Sequence, residues 1–268
     1  MGTEARLKKR RKKIVAGNWK MNNSVADGVD LATSVCRELA DFRDVDVVLC
    51  PTFTAIKAVG EAVEDSHIKL GGQNMHWEAS GAYTGEISAA MLRDLYCHFV
   101  IIGHSERRQY FHETDETVNL KVKAALAARL VPILCVGETL EDRESEETEN
   151  VIRRQLEGGL EGVVLDGTCE LIVAYEPVWA IGTGLTASPE QAQGVHAFIR
   201  ETVASLYDDA TAASLRIQYG GSMKPNNAAE LFAQPDIDGG LIGGAALDAR
   251  SFVEIIRAGK PGTSNADV

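Results

Sequence analysis

The sequence predicts an α/β protein that folds as a single closed (β/α)8 barrel. Short runs rich in Val, Ile and Leu alternate with helical patterns. Several runs are apolar almost throughout, as expected of parallel strands buried on both faces. No linker rich in Gly, Ser or Pro interrupts the alternation. Eight strands, each followed by a helix, therefore predict one barrel domain over residues 14–260, close to the ~250 residues typical of this architecture.

Each predicted element rests on a local pattern. The runs that predict strands are Ile14–Trp19, Val45–Cys50, Ile68–Gln73, Phe99–Gly103, Val131–Val136, Leu171–Tyr175, Leu215–Tyr219 and Asp238–Ile242. The patterns that predict helices are Ser24–Asp41, Thr114–Arg129, Glu141–Leu156, Ser188–Tyr207 and Asp248–Ala258. Ser24 is a suitable N-cap, and Ser188 is followed by Pro189 at the first helical position.

The charge of the chain is unevenly distributed. Residues 1–13 carry a net charge of +6 within a chain of −12, which leaves −18 for the rest. So acidic a body argues against nucleic-acid binding by the fold itself. The basic leader, residues 1–13, could bind nucleic acid or anionic lipid, but it has no aromatic residue, and a solvated, disordered leader is the favoured interpretation. The tail, residues 261–268, is also predicted to be disordered.

Cysteine and histidine spacing gives no sign of a metal site or a disulfide framework. The five cysteines form no C-x-x-C pair, and the six histidines form no H-E-x-x-H pattern. We therefore expect reduced thiols and no metal. No apolar stretch approaches the ~18 residues of a membrane span, and the N-terminus lacks the apolar core of a signal peptide. A cytoplasmic protein that does not contact a membrane is expected.

Glu176 is the strongest candidate for a catalytic base. It ends the apolar run Leu171–Tyr175 and is followed by Pro177, which biases Glu176 towards an extended conformation. Glycines at 182 and 184 lie in the loop that comes next. A carboxylate at a strand end beside a loop that can close is suited to proton abstraction away from water. The alternative interpretation is an ordinary surface turn.

Other polar residues end the neighbouring strands, where the active sites of such barrels lie. Asn18 and Lys20 follow the first strand, and His104 follows the fourth and opens a segment that can form a short helix. A helix N–H that donates to the imidazole would favour its neutral form, and Lys20 would stabilise a developing negative charge. Asn18 would hold Lys20 or the substrate. Glu106 would belong to an ion-pair network that stiffens the loop.

Two Gly-Gly turns come after the seventh and eighth strands. They are Tyr219-Gly-Gly-Ser222 and Leu241-Ile-Gly-Gly244. Glycine lets an anion approach the backbone, and a helix N-terminus presents free N–H groups, so we expect both turns to open helices and together to bind phosphate.

Two further segments are unusual. Asn74–Ser88 carries the large apolar residues Met75, Trp77 and Tyr83, so it either folds back on its own barrel or inserts into a partner. The acidic run Glu138–Glu149 is interpreted as a solvated helix face.

Five motifs at five strand ends resemble triosephosphate isomerases in order and spacing, across the whole core. They are Asn18-Trp-Lys-Met21, Gly103-His-Ser-Glu-Arg-Arg108, Tyr175–Gly184, Tyr219-Gly-Gly-Ser222 and Gly239–Gly244. The resemblance implies the TIM-barrel fold and the cofactor-independent interconversion of dihydroxyacetone phosphate and D-glyceraldehyde 3-phosphate through an enediolate, in glycolysis and gluconeogenesis.

The resemblance also implies residue roles. Glu176 is the base, His104 the neutral electrophile and proton shuttle, and Lys20 the electrostatic stabiliser, with Asn18 beside it. Pro177–Gly184 is a closing lid. The phosphate is bound by residues of the lid and of the last two strand ends, namely Gly182, Ser222, Leu241, Gly243 and Gly244. The Asn74–Ser88 loop resembles a dimer loop, with Thr84 near the partner's catalytic lysine, and implies a homodimer.

The basic leader is an addition to the family pattern, and one departure lies near the site. Ala246 stands where many relatives have serine, just past the phosphate turn. Another phosphate-binding barrel isomerase would share the phosphate turns but not Lys20, His104 and Glu176 together. A non-catalytic scaffold whose leader binds a partner would not need those three side chains.

Overall fold

Eight parallel strands close into a barrel, as the sequence predicts. The computed structural model describes residues 11–165, 171–180 and 186–261. Within them each strand pairs with the next in sequence, and the last pairs with the first. The strands are β1 (Ile14–Asn18), β2 (Asp46–Cys50), β3 (Lys69–Gly72), β4 (Cys97–Ile102), β5 (Val131–Val136), β6 (Ile172–Tyr175), β7 (Arg216–Tyr219) and β8 (Gly239–Ile242).

Helices come after the strands and form the outer layer. They are α1 (Val25–Glu38), α2 (Ile56–Val63), α3 (Ala89–Asp94), α4 (Ser105–Phe111), α5 (Asp115–Ala127), α6 (Leu140–Glu144), α7 (Thr148–Leu160), α8 (Pro189–Leu206), α9 (Asp209–Ser214), α10 (Ala228–Phe232) and α11 (Ala249–Ala258). Two short 3₁₀ helices, Val178–Ala180 and Gly244–Leu247, complete the described helical segments. None of the described helices is both long and apolar enough to cross a bilayer.

The helix predictions differ from the structure mainly where helices are short. Ser24, Thr114 and Ser188 are N-caps with reciprocal capping boxes, so the starts of the longer helices are set by their local sequence. Four short helices, α2, α3, α9 and α10, are not among the predicted ones, because five to eight residues show too little periodicity. The predicted helix Glu141–Leu156 is two helices, separated near Glu146, which has a φ of 59°.

Because side chains alternate along each strand, the polar residues Asn18 and Glu176 point towards the barrel axis. Ile14 and Ala16 on β1, and Ile172 and Ala174 on β6, belong to the cluster that fills the barrel interior. Successive strand side chains point to opposite faces. Asn18 comes two residues after Ala16, and Glu176 two residues after Ala174. Both side chains therefore continue the inward row at the carboxyl ends of the strands.

The basic leader was predicted to extend to residue 13, and the structure places its last residues on the barrel. Arg11 Nε donates to Asp238 Oδ1 at 2.7 Å, and Lys13 Nζ donates to the Ile237 carbonyl at 2.8 Å. Lys13 is buried. Residues 11–13 therefore belong to the folded body, because carbonyl and carboxylate partners on the β7–β8 connection bind them. Residues 1–10 and 262–268, also predicted to be disordered, lie outside the described residues.

The Asn74–Ser88 segment both folds back on its own barrel and projects from it. Met75 is fully buried in its own barrel, whereas residues 78–86 are exposed. The His76 ring stacks on Trp77 at a centroid distance of 4.1 Å and lies 4.2 Å from the Tyr83 ring. The His76 N–H also donates to the Ile87 carbonyl at 2.8 Å. The projecting part is thus held in shape by its own aromatic contacts.

Candidate active site

A cavity of about 640 Å³ opens at the carboxyl ends of the strands. Apart from Thr84, the predicted site residues that the structure describes all line it. They are Asn18, Lys20, His104, Glu106, Glu176, Ser222, Leu241, Gly243 and Gly244. Thr84 is exposed on the projecting loop, and Gly182 lies outside the described residues. Residues from β1, β4, β6, β7 and β8 and their loops therefore meet at one site.

Glu176 is held by two donors and is 2% exposed. Its Oε1 lies 2.8 Å from His104 Nε2, and its Oε2 accepts the Ser105 backbone N–H at 2.9 Å. Burial raises the pKa of this carboxyl, but the nearby His104 and the Ser105 N–H outweigh burial, so the pKa is lowered. In this arrangement Glu176 is an ionised carboxylate, and each of its two oxygens has one close donor.

His104 is the N-cap of α4, and its ring is oriented by the helix that it starts. The Glu106 backbone N–H donates to Nδ1 at 3.2 Å, as the sequence predicts, which leaves Nε2 to carry the hydrogen. Burial lowers the pKa of His104, and the Glu176 carboxylate raises it above its ordinary value. A neutral imidazole with hydrogen on Nε2 satisfies both contacts, since a second hydrogen on Nδ1 would face the Glu106 N–H.

Lys20 has an unusual backbone, with a φ of 53°. Its N–H donates to Asn18 Oδ1 at 3.1 Å, and its carbonyl accepts from Gln73 Nε2 at 2.8 Å. Its Nζ lies 2.6 Å from Glu106 Oε1, in an ion pair whose two side chains are about a third exposed. These contacts place the ammonium group in the cavity that holds Glu176 and His104.

The two glycine turns line the same cavity, but only one of them opens a helix. Gly244 begins a 3₁₀ helix at once, whereas the turn after β7 does not open a helix, and α10 starts only at Ala228. The expectation that both turns open helices is therefore wrong for the first. Glycine is required at 220 for another reason: a Cβ there would lie 2.8 Å from Glu176 Cγ, so the turn packs directly against the candidate base.

Glu138 corrects the interpretation of the acidic run. Its side chain is fully buried, and its Oε1 accepts from the Tyr175 hydroxyl at 3.0 Å and from Trp179 Nε1 at 2.8 Å. Arg143 pairs with it at 3.3 Å. Glu138 thus ties β5 to the residues on both sides of Glu176. The remaining acids of the run are exposed or half-buried, as a solvated face requires.

Two supporting residues were missed by sequence reasoning. Gln73 holds the Lys20 carbonyl, and Glu138 holds the segment after Glu176. Each is the polar residue that closes or follows an apolar strand, β3 for Gln73 and β5 for Glu138, so the signal that indicates Asn18, His104 and Glu176 is present for them as well. The described residues contain no group of three His, Cys, Asp or Glu side chains arranged to hold a metal ion.

Comparisons of the sequence and of the structure with known proteins find the same family. A protein-family model for triosephosphate isomerase matches residues 13–259. Triosephosphate isomerases from Chloroherpeton thalassium and Moorella thermoacetica are 57% and 56% identical to this chain, each over 92% of it and over 99% and 98% of their own lengths. The crystal structure of triosephosphate isomerase from Bartonella henselae superimposes with a TM-score of 0.83 at 39% identity, covering 92% of this chain and 98% of that one.

Proposed function

This chain belongs to the triosephosphate isomerase family, and we propose that Glu176, His104 and Lys20 carry out the reaction at the mouth of its barrel. The enzyme interconverts dihydroxyacetone phosphate and D-glyceraldehyde 3-phosphate. These substrates differ only in which of two neighbouring carbons carries the carbonyl. The site must therefore remove a proton from one carbon, carry a negative oxygen for a short time and return a proton to the other carbon.

The three side chains are suited to these steps. Glu176 takes the proton from carbon, and the C–H electron pair forms the carbon–carbon double bond of the enediolate. The carbonyl oxygen gains the charge, which Lys20 stabilises and which the Nε2–H of His104 neutralises by donating its proton. In the second half, protonated Glu176 gives its proton to the neighbouring carbon, and the hydroxyl on the first carbon gives its proton back to His104 and becomes the new carbonyl. The 2.8 Å contact between Glu176 Oε1 and His104 Nε2 supports the proposal that both reach one three-carbon substrate.

The contacts of Glu176 describe a resting base. The Ser105 N–H and His104 lower the pKa of Glu176, and burial opposes them. When substrate enters, we expect the carboxylate to leave these two hydrogen-bond donors and to contact the substrate carbon that carries the proton. Burial then acts without the opposing hydrogen bonds, so the pKa rises and the carboxylate becomes a stronger base.

The phosphate group would be bound at the other end of the cavity. Ser222, Gly243 and Gly244 line this part, and their backbone N–H groups are the proposed donors, with Gly182 added by the lid, Pro177–Gly184. Lid closure would exclude water, which suppresses loss of phosphate from the enediolate. The contacts of Glu138 with Tyr175 and Trp179 support this proposal, because they anchor the segment from which the lid begins.

One assay tests the assignment against other barrel isomerases. The purified chain is incubated with dihydroxyacetone phosphate in D2O, and product and deuterium content are measured. We expect D-glyceraldehyde 3-phosphate with deuterium at carbon 2, and no turnover of five- or six-carbon sugar phosphates. Turnover of the longer substrates alone, or product without deuterium exchange at any substrate concentration, would contradict the proposal.

We further propose that the chain forms a homodimer through the Asn74–Ser88 loop. Large apolar side chains are exposed on the loops after β1, β2 and β3, at one side of the rim: Met21, Phe53 and Tyr83 are 93%, 38% and 43% exposed. Adjacent exposed apolar residues on one rim are typical of a protein interface. The pre-shaped loop would insert beside the partner's Lys20 with Thr84 near its tip. A cytoplasmic location is proposed as well, since the triose phosphates of glycolysis are found there.

A further inference from the structure

The substrate and the protein carry charges of the same sign. A phosphate monoester has a charge of about −1.5 to −2 at pH 7, and the chain has a net charge of −12. Among the described side chains that line the cavity, Lys20 and Lys224 are cationic, and Glu106 and Glu176 are anionic. The Lys20 Nζ lies 2.6 Å from Glu106, so its field towards solvent is largely compensated.

Lys224 is the exposed cation at the mouth of this cavity. Its side chain is exposed, and within the described part of the chain its Nζ has no ion-pair partner. Lys224 was not among the residues that sequence reasoning selected. Without it, the charged side chains lining the described cavity would sum to −1.

The backbone of Lys224 is fixed to the phosphate turn. Its N–H donates to Asn227 Oδ1 at 2.8 Å, and Asn227 Nδ2 donates to the Ser222 carbonyl at 3.0 Å. The Lys224 carbonyl accepts the N–H groups of Asn227 and Ala228 at 3.2 and 3.0 Å. Asn227 therefore holds the start of the Lys224 side chain at a constant position relative to Ser222, while the flexible stem leaves the ammonium group in water.

We propose that Lys224 draws the phosphate dianion to the cavity and so raises the rate of substrate association. A low-dielectric cavity focuses the field of a cation at its mouth, and such a field increases the encounter rate of an oppositely charged ligand. A hydrated ammonium group on a flexible stem acts as a point charge for this purpose and does not need a fixed contact. This inference rests on the proposed function, since it requires a phosphorylated substrate at Ser222.

The test compares variants of Lys224 with charge-matched variants of Lys69. Lys69 is exposed at the first residue of β3, at the opposite end of the barrel, and within the described residues it has no ion-pair partner. Across about 10 Å of water at about 10 mM ionic strength, loss of a unit charge weakens attraction of a dianion by about threefold. We expect kcat/KM to fall about threefold in Lys224→Gln and about tenfold in Lys224→Glu, with kcat changed less than about twofold.

Three results would support the proposal together. The loss in kcat/KM should disappear when ionic strength is raised to about 0.5 M, where the Debye length is only about 4 Å. Lys224→Arg should retain the wild-type value, and Lys69→Gln and Lys69→Glu should stay within about 1.5-fold of it. An equal loss in the Lys69 variants, or a loss at Lys224 that is insensitive to salt, would overturn it. Failure of the proposed function is distinct, because the wild-type chain itself would then show no turnover.

Discussion

Lys20 shows that the site depends on a residue held in an unfavourable backbone conformation. A φ of 53° is a left-handed conformation that costs a non-glycine residue about 1–2 kcal/mol. Asn18 and Gln73 offset this cost with hydrogen bonds to the N–H and the carbonyl of Lys20. Strain of this kind concentrates at functional sites, where the surrounding structure fixes a side chain in a required direction. The geometry supports Lys20 as a pre-oriented charge.

Glu176 supplies the prediction at the residue scale. Glu176→Gln preserves the size of the side chain but removes its basicity, so we expect kcat to fall by at least ~10²-fold, the lower end of general-base contributions. Binding of a phosphate-bearing inhibitor should change little, because the turns proposed to bind phosphate are untouched. Glu201→Gln, at an exposed position on α8, is the matched control and should retain full activity. Near-normal turnover of Glu176→Gln would remove this residue from the mechanism.

At the scale of elements, a buried ionic cluster joins the loop after β3 to α4 and α5. Lys121 on α5 donates to Asn74 Oδ1 at 2.8 Å and also pairs with Glu113, which accepts from Arg107 of α4. The side chains of Lys121 and Glu113 are 4% and 6% exposed. Burial raises the pKa of Glu113, and Lys121 and Arg107 outweigh it, so the pKa is lowered.

This cluster predicts a pH-dependent loss of stability. Glu113→Gln leaves the buried Lys121 ammonium without its carboxylate, so we expect the free energy of unfolding at pH 7 to fall by about 3–5 kcal/mol in urea denaturation. A lowered carboxyl pKa stabilises the fold above the ordinary Glu range and stops doing so as the pH falls through the folded-state value. The difference between wild type and variant should therefore shrink in acid.

An exposed ion pair provides the control for the buried cluster. Arg250 and Glu254 pair at 3.0 Å on α11, with side chains that are 88% and 46% exposed. Glu254→Gln should change the free energy of unfolding by less than about 1 kcal/mol at every pH, because exposed pairs contribute little. A Glu113→Gln variant no less stable than Glu254→Gln would show that the cluster does not stabilise these elements.

At the scale of the whole molecule, the N-terminal end of the described chain is held on the barrel by contacts with residues that are distant in sequence. Arg11 reaches Asp238, and Arg200 of α8 donates to the same carboxylate at 2.8 Å. We expect removal of residues 1–10 to leave the free energy of unfolding within about 0.5 kcal/mol, and removal of residues 1–13 to lower it by about 2–4 kcal/mol, since several hydrogen bonds to charged groups are lost. Equal effects of the two truncations would mean that residues 11–13 do not anchor the barrel.

The proposed dimer makes a second prediction for the whole molecule. Thr84→Arg places a charge at the tip of the projecting loop, where burial in a partner would be costly. We expect sedimentation to show monomers with reduced kcat/KM. Ser205→Arg, exposed on α8 away from the loop, should remain dimeric and active. A fully active Thr84→Arg dimer would overturn the placement of Thr84 at the interface.

The sequence by itself determined the barrel and the residues of its rim. Strands buried on both faces appear as apolar runs, and parallel strands in a closed barrel bring their carboxyl ends together, so Asn18, His104 and Glu176 could be grouped before any coordinates. Short helices such as α3 could not be predicted, because six residues carry little periodic signal.

Only the tertiary structure decided which groups form the hydrogen bonds and ion pairs that fix the site residues in position. The Ser105 N–H on Glu176, the burial of Glu138, and the contact of Arg11 with Asp238, 227 residues away, each join segments that are distant in sequence. No local pattern records such pairs, since hydrogen bonding and burial depend on which surfaces meet after the barrel closes. The local sequence therefore determines which reactive side chains lie at the rim, whereas the orientation and the pKa values of these side chains arise from long-range packing.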